Sequence, residues 1–368
     1  MATVYVGLSG GVDSGVAAAL LKEGGHSVVG CFIKIWQPEF IECTWRDDRL
    51  DAMRVAASLR IPFREIDCSD EYKREVVDSM VADYARGLTP NPDVLCNRII
   101  KFGRFLSWAR ENGAEYVATG HYARIVTQTQ YFGFRKPENS GLRNPNFLLR
   151  GRDSAKDQSY FLYEITQEQL ARALFPIGEL TKREVRSLAK KFGLPNAEKP
   201  DSQGICFLGD VSMEEFLGRF VALTPGPVLD ITGATIGEHH GAALYTLGQR
   251  HGFTVQGSKR AGGVHYIVSA DTQANMITVS RDRLDASRKE IGLERMHWIN
   301  TQPLFPIEAE AQARYREISV RVRVEENDGE IRIIFSEPHL VSPGQSLVLY
   351  ERDRCLGGGT ISRWSARS

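Results

Sequence analysis

Ser9-Gly10-Gly11-Val12-Asp13-Ser14 lies between an apolar run, Val4 to Leu8, and a helix-like stretch, Gly15 to Lys22. That order is strand, glycine-rich turn, helix start. Two adjacent glycines let the backbone turn tightly and keep side chains away from their N–H groups, so a phosphate can approach. The helix adds unsatisfied N-terminal donors and the positive end of its dipole. No Lys follows the glycines and no third glycine completes a dinucleotide fingerprint, so two commoner phosphate-binding motifs are excluded.

Two cysteines carry the second chemical signal. Cys96 stands in Thr89-Pro90-Asn91-Pro92-Asp93-Val94-Leu95-Cys96-Asn97, where a loop becomes a helix. With Asp93 as N-cap, Cys96 falls in the first turn, where backbone donors and the helix dipole favour a thiolate. A small buried hydrophobe fits Cys96 equally well, and Asp93 fits both a plain cap and a proton-transfer group. Cys206, in Asp201-Ser202-Gln203-Gly204-Ile205-Cys206, follows a polar turn and alone reads as structural. Beside a phosphate-binding loop the pair suggests sulfur transfer, one cysteine carrying a persulfide and the other resolving it through a transient disulfide.

These residues need a frame. Apolar runs at Val4 to Leu8, Val28 to Ile35, Phe63 to Ile66 and Tyr116 to Ala118 alternate with helical spacings. The latter are Ala52/Val55/Ala56/Leu59, Tyr72/Val76/Met80/Tyr84 and Ile99/Phe102/Phe105/Ala109. The alternation predicts a parallel sheet covered by helices on both faces, with the nucleotide at the carboxyl ends of its strands. Residues 127–147 lose periodicity and read as a surface insertion or mobile loop. Capping-box signatures at Thr166/Gln169, Thr181/Glu184 and Ser212/Glu215 open further helices. From about Pro225 short alternating strands take over, forming two β-rich units with a boundary near Asp282 to Arg288. In the second unit Val320, Val322 and Val324 alternate with Arg321 and Arg323 as a half-buried antiparallel strand.

With 368 residues, 42% hydrophobic and 25% charged, the chain has the composition of a soluble protein of two or three domains. No apolar run approaches a membrane span, and the chain enters a strand at once, so no leader and a cytoplasmic location are expected. Forty-six basic residues balance forty-six acidic ones, so nucleic-acid contact would use local basic surface. Six cysteines without a C-x-x-C pair predict no structural metal.

The glycine loop resembles that of the PP-loop ATP pyrophosphatases. Further motifs are Gly120-His121-Tyr122, Ser154-Ala155-Lys156-Asp157-Gln158-Ser159-Tyr160, Tyr245-Thr246-Leu247-Gly248-Gln249-Arg250 and Pro343-Gly344-Gln345-Ser346. With the two cysteine motifs, they make the chain similar, in order and over nearly its whole length, to the tRNA-specific 2-thiouridylase family. The resemblance implies an α/β fold: a parallel-sheet PP-loop adenylation domain (1–212), a small β-rich central domain (213–284) and a C-terminal β-barrel (285–368). It implies ATP, with Mg2+, at Gly7, Leu8, Ser9, Gly10, Gly11, Val12, Asp13, Ser14, Ile33 and Gly120. Asn91, Pro92 and Asp93 would meet the target base, and His121, Lys156, Asp157, Gln158, Arg314, Tyr315 and Gln345 would contact tRNA. Cys206 would carry the persulfide, Cys96 would be its catalytic partner, and Asp93 would assist as acid or base. The implied partners are tRNA, with those for Lys, Glu and Gln the expected set, and a sulfur donor, either a cysteine desulfurase or a relay protein. A monomer is expected. Another PP-loop ligase acting on a small molecule, or a non-catalytic nucleotide-binding module, is the alternative reading.

Other features receive plainer expectations. His239 and His240 diverge along a strand and read as solvent-facing side chains, not metal ligands. Arg321 and Arg323 fit a solvated strand face, Cys31 fits the core, and Cys43, Cys68 and Cys355 receive no role. Ile33 stands where the family usually has Met, residues 127–147 look longer than usual, and the segment from His251 to His265 matches least.

Overall fold

The computed structural model describes residues 1–40, 45–132, 145–201, 211–256 and 263–363. Its first sheet is parallel, in the order Phe63–Asp67, Ser27–Lys34, Thr3–Gly7, Tyr116–Ala118, Ala173–Leu174. Both faces are covered, as the apolar runs require. Val4, Val6 and Val28 pack against the helices Val12–Glu23, Trp45–Ser58 and Lys182–Lys191, while Tyr5, Val29, Cys31 and Val117 meet two longer helical runs. One run passes from Ser69–Tyr72 through a π-turn, Lys73–Val77, to Asp78–Ala85. The other runs from Pro92–Leu95 through a π segment, Cys96–Arg104, to Phe105–Glu111. Strand order reverses between Thr3–Gly7 and Tyr116–Ala118, which puts the ligand crevice of such a sheet just past Gly7 and Ala118.

The central sheet orders its strands Phe253–Val255, Thr235–His239, Gly226–Leu229, Met276–Ser280, Tyr266–Asp271 around Val228, Tyr245, Ile267, Ile277 and Val279. Here one expectation is corrected: His239 is fully buried, its Nδ1 accepting the Gly241 N–H at 2.9 Å and its ring set edge-on to Tyr245. Burial lowers its pKa. Only His240 faces solvent, pairing with Glu214.

Six strands, Ser287–Trp298, Glu330–Leu340, Val320–Asn327, Ile307–Gln312, Ser346–Glu351 and Arg354–Ile361, close into a barrel because the first also pairs with the last. Val322 and Val324 point inward between exposed Arg321 and Arg323, as their alternation predicts. In Ser346–Glu351 the two faces differ in destination. Leu347 and Leu349 fill the barrel, whereas Val348 and Tyr350 join the core of the first domain. A hairpin from that domain, Ala123–Thr127 with Asn146–Arg150, extends the barrel sheet through Leu149 opposite Arg354. These strands flank part of the stretch read as an insertion; its residues 133–144 lie outside the described ones.

Candidate active site

The glycine loop occupies the switch point. Leu8 N–H donates to Cys31 C=O at 2.7 Å, ending the strand in register, and Gly11 caps the helix Val12–Glu23. Ser14 Oγ accepts Ser9 N–H and donates to Gly11 C=O, folding the turn back on the first helical residues. Gly10 has φ +75°, and a Cβ there would lie 2.4 Å from Asp48 O. A Cβ on Gly120 would lie 2.6 Å from Ser14 N, so the second crossover presses directly against the loop. Both glycines are required by close backbone approach. Asn196 Nδ2 donates to Gly10 C=O at 2.9 Å. Ile33 ends the neighbouring strand and reaches within 3.5 Å of the Cβ position of Gly7. Beyond it Lys34, Trp36, Pro38, Trp45 and Ser69 line a cleft of about 380 Å³.

Asp13 lies at the second helical position and is gripped from two sides. Its Oδ1 accepts from Tyr122 Oη at 2.9 Å and from Lys182 Nζ at 2.7 Å. Lys182 also lies 2.7 Å from Oδ1 of Asp201, which Lys156 and Arg186 pair with as well. Burial pushes the Asp201 carboxyl up, yet the hydrogen bonds from Lys156 and Lys182 outweigh it and hold the group at about 2. Cys206 lies outside the described residues, as does Cys43; Asp201 is the last described residue before it.

The Thr89–Cys96 segment sits where three units meet. Thr89 N–H donates to Pro343 C=O of the barrel at 2.8 Å, and Thr89 Oγ1 is 3.2 Å from Thr246 Oγ1 of the central unit. Asn91 bonds the Tyr160 hydroxyl, which donates onward to Ala313 and Ser346 carbonyls. Arg314 reaches Leu247 C=O, and Tyr315 packs on Phe161 at a tilt of 46° with centroids 4.5 Å apart. Arg314 Nε and Gln345 Oε1 are buried without a hydrogen-bond partner among the described residues, a costly state that a ligand would relieve.

One expectation is corrected here, and three side chains lie deeper than their motifs suggest. The helix begins at Pro92 with Asn91 at the N-cap, so Asp93 is not the cap; the fixed φ of proline suits the first helical position. Asp93 turns inward, and burial raises its carboxyl pKa against the opposing field of Lys101. Cys96 consequently sits one turn in, at the start of the π segment, and is only 5% exposed. His121 is interior as well: Nδ1 is 2.7 Å from Thr119 Oγ1, its ring meets Phe175 edge-on, and burial drives its pKa well down, keeping it neutral.

Asp157 is likewise internal. It accepts from Gly151 N–H, Ser159 N–H, Ser159 Oγ and Arg150, and Arg150 itself lies 3.4 Å over the Tyr350 ring. Gln158 Oε1 accepts Tyr122 N–H, orienting the tyrosine that holds Asp13. Cys31, Cys68 and Cys355 are buried thiols pushed up to about 12 by burial. Sequence reasoning missed Lys182 and Asn196, although the Thr181/Glu184 capping box that fixes where the helix bearing Lys182 begins was legible.

Comparison with known proteins agrees with this architecture. Residues 2–210 match a tRNA methyl transferase HUP domain, 214–281 a tRNA methyl transferase PRC-barrel domain, and 288–361 an aminomethyltransferase β-barrel domain. The tRNA-specific 2-thiouridylase MnmA of Akkermansia muciniphila is 45% identical over 369 residues, covering 98% of both chains. Its counterpart from Stenotrophomonas maltophilia (strain R551-3) is 44% identical over 99% of this chain and 94% of its own, and that of Shigella flexneri 41% over 98% and 96%. On motif, fold and full-length similarity together, the chain belongs to the tRNA-specific 2-thiouridylase family.

Proposed function

We propose that the protein uses ATP to replace the 2-oxygen of the wobble uridine of tRNA by sulfur. The observation that carries this reading is the contact between the phosphate loop and Asp201, in a chain whose sequence carries both cysteine motifs. Asp13 of the loop is joined through Lys182 to Asp201, the first residue of the Cys206 motif, and Cys96 opens the second turn of a helix in the same domain. Methyl transfer, the chemistry in two of the matched domain descriptions, would need neither a phosphate cradle nor paired cysteines.

The chemistry follows from those positions. The carbonyl oxygen is a poor leaving group; its attack on the α-phosphorus of ATP releases pyrophosphate and converts it to a good one. Gly7 to Ser14, Ile33 and Gly120 would hold the nucleotide, with loop N–H groups stabilising the leaving pyrophosphate. Magnesium would ride on the phosphates: among the described residues no three His, Cys, Asp or Glu side chains form a metal cage. Asp93, buried beside the base-facing Asn91 and Pro92, would take the uridine N3 proton as O2 attacks and return it at the end.

The terminal sulfur of a Cys206 persulfide would then bond to C2 and expel AMP. Cys96 thiolate would attack the Cys206 Sγ, breaking the S–S bond, so that the transferred sulfur stays on the base and a Cys96–Cys206 disulfide forms. An external two-electron reductant and a persulfide donor, a cysteine desulfurase or relay protein, reset the pair. Arg314, Tyr315 and Gln345 would contact the RNA at the three-way junction, and the wobble base, already in a loop, flips out cheaply. Lys156, Gln158 and His121 would act from beneath that surface. Domains of 1–212, 213–284 and 285–368, a monomer, a cytoplasmic location and the Lys, Glu and Gln acceptors belong to the same reading. No helix among the described residues is long and apolar enough to cross a membrane.

The test is nucleoside mass spectrometry after reaction of bulk tRNA with ATP, Mg2+ and a persulfide source, beside Cys206→Ser and Cys96→Ser. Formation of 2-thiouridine by the parent and by neither variant is expected. A folded, ATP-binding parent that makes none, in a mixture where an established thiouridylase works, would overturn the reading.

A further inference from the structure

Lys182 belongs to none of the motifs that identify the family, yet it stands at the centre of the charged network. Its backbone is fixed before its side chain is considered. It is the first residue of the helix Lys182–Lys191, behind the Thr181/Glu184 capping box, and its own N–H donates to Asp153 Oδ2 at 2.9 Å. From there the ammonium lies 2.7 Å from Asp13 Oδ1 and 2.7 Å from Asp201 Oδ1, with 15% of the side chain exposed. One cation therefore touches the phosphate loop and the anchor of the sulfur-bearing motif at once.

The charges around it make this contact consequential. Lys156, Lys182 and Arg186 face Asp13 and Asp201, with the Asp153 carboxylate beside them on the Lys182 N–H. Lys156 and Arg186 both contact Asp201, so Lys182 is the cation paired with Asp13. The other partner of Asp13, the Tyr122 hydroxyl, supplies a hydrogen bond but no charge, because burial and the Asp13 carboxylate keep the phenol protonated. A polyphosphate docking on the loop brings several negative charges beside Asp13, and like charges in a partly desolvated site repel strongly. With Lys182 present, that carboxylate enters the encounter as half of a neutral pair.

We propose that Lys182 is a positioning residue of the activation step: it neutralises Asp13 so that the loop accepts a nucleoside triphosphate, and it ties the loop to Asp201. The proposal takes from the functional reading only that the loop binds ATP. Its effect is thus on nucleotide affinity and leaves RNA affinity alone.

The experiment measures three quantities on the full chain: ATP affinity by calorimetry with Mg2+, tRNA affinity by filter binding, and the thermal midpoint. The variants are Lys182→Gln, Lys182→Arg and Lys182→Gln combined with Asp13→Asn. Lys182→Gln keeps a donor of similar length without charge and should weaken ATP binding at least about tenfold while tRNA affinity stays within about twofold. Lys182→Arg should restore ATP affinity to within about threefold of the parent. The double variant should recover part of the loss, because the unneutralised carboxylate is gone; a residue that merely supports the fold would show no such recovery. Should Lys182→Gln alone not fold, the comparison of parent, Lys182→Arg and the double variant carries the test, since neither variant leaves Asp13 as an unpaired charge.

Parent-like ATP binding by folded Lys182→Gln would overturn the proposal. So would an equal loss with and without Asp13→Asn. A parent that binds ATP in this Lys182-dependent way but yields no 2-thiouridine would sink the thiolation reading and leave the role of Lys182 standing.

Discussion

Asn196 donates from Nδ2 to the carbonyl of Gly10 at 2.9 Å, so the phosphate loop is held by a residue 186 positions downstream. The bond is buried, and Gly10 has φ +75°, a backbone conformation that favours glycine. Asn196→Ala would leave that carbonyl unsatisfied, at a cost of about 1–3 kcal/mol. A lower thermal midpoint and roughly tenfold weaker ATP binding are expected, the second because the loop loses its preorganisation. Calorimetry of ATP binding beside differential scanning checks both; unchanged ATP affinity would show that the loop holds its shape without Asn196.

Gly10→Ala and Gly120→Ala test the loop from its two walls. A methyl group at Gly10 meets Asp48 O and one at Gly120 meets Ser14 N, both backbone atoms that cannot swing aside. Each substitution should cut ATP-dependent pyrophosphate release by about a hundredfold or more, the scale of losing an oriented set of donors. Affinity for tRNA should change little, since the Thr89–Cys96 segment is positioned by other contacts. Pyrophosphate release and filter binding, measured on the same preparations, separate the two effects.

Some of this was legible in the sequence and some was not, for physical reasons. The strand Tyr116–Ala118 and the buried side of Ala52/Val55/Ala56 followed from local periodicity, because burial against a sheet leaves a local trace. The Asp93 cap failed locally too: Pro92 was available for the first helical position and moved the cap back to Asn91. The wide turns of the π segment then buried Ile100 beside Phe102 and left Ile99 only partly covered, a shift that a 3.6-residue repeat does not anticipate. By contrast, the Arg150–Asp157–Tyr350 cluster joins residues 200 apart across a domain boundary and has no local signature. The motif that contains Asp157 gave no sign that its carboxylate faces inward.

That cluster makes its own prediction. Asp157 accepts four hydrogen bonds while 8% exposed, and removing its charge leaves Arg150 with the neutral partners Gln312 and Ser319 but without its carboxylate between the first domain and the barrel. Asp157→Ala should destabilise the protein by about 3–5 kcal/mol, the usual consequence of breaking a buried pair. The salt dependence of tRNA binding, measured at a temperature where the variant stays folded, should keep its slope, because no phosphate contact is lost. A loss of tRNA affinity of about tenfold or more by the folded variant would instead place this segment at the RNA surface.

Asp93 gives a pH signature whose sign is fixed by its burial. Its folded-state pKa is raised, so the unfolded chain releases this proton first as pH increases. The group therefore favours the folded state below the ordinary carboxylate range and progressively less as pH rises through the folded value. Asp93→Asn should match the parent near pH 3–4, where both are neutral, and become the more stable protein at neutral pH. Thiolation should fall by about 10²–10⁴ if the carboxyl moves the N3 proton. Denaturant unfolding at several pH values tests the first claim and single-turnover thiolation the second.

Gly344 tests whether the three-way junction matters for the RNA step alone. It has φ +87°, and a Cβ there would approach Leu88 Cβ at 2.7 Å and Thr89 N at 2.8 Å, on the very residues that lead into Asn91 and Asp93. Gly344→Ala must therefore push the segment away from the barrel and strain the Thr89 N–H bond to Pro343. The phosphate loop takes its support from Asn196, Tyr122 and Lys182, none of which touches this turn, so ATP affinity should remain that of the parent. Thiolation of tRNA should drop by about a hundredfold, since a displacement near 1 Å of a positioning segment has that scale of effect. A parallel fall in ATP affinity would mean that loop and junction form one cooperative unit, and the division of labour between them would have to be abandoned.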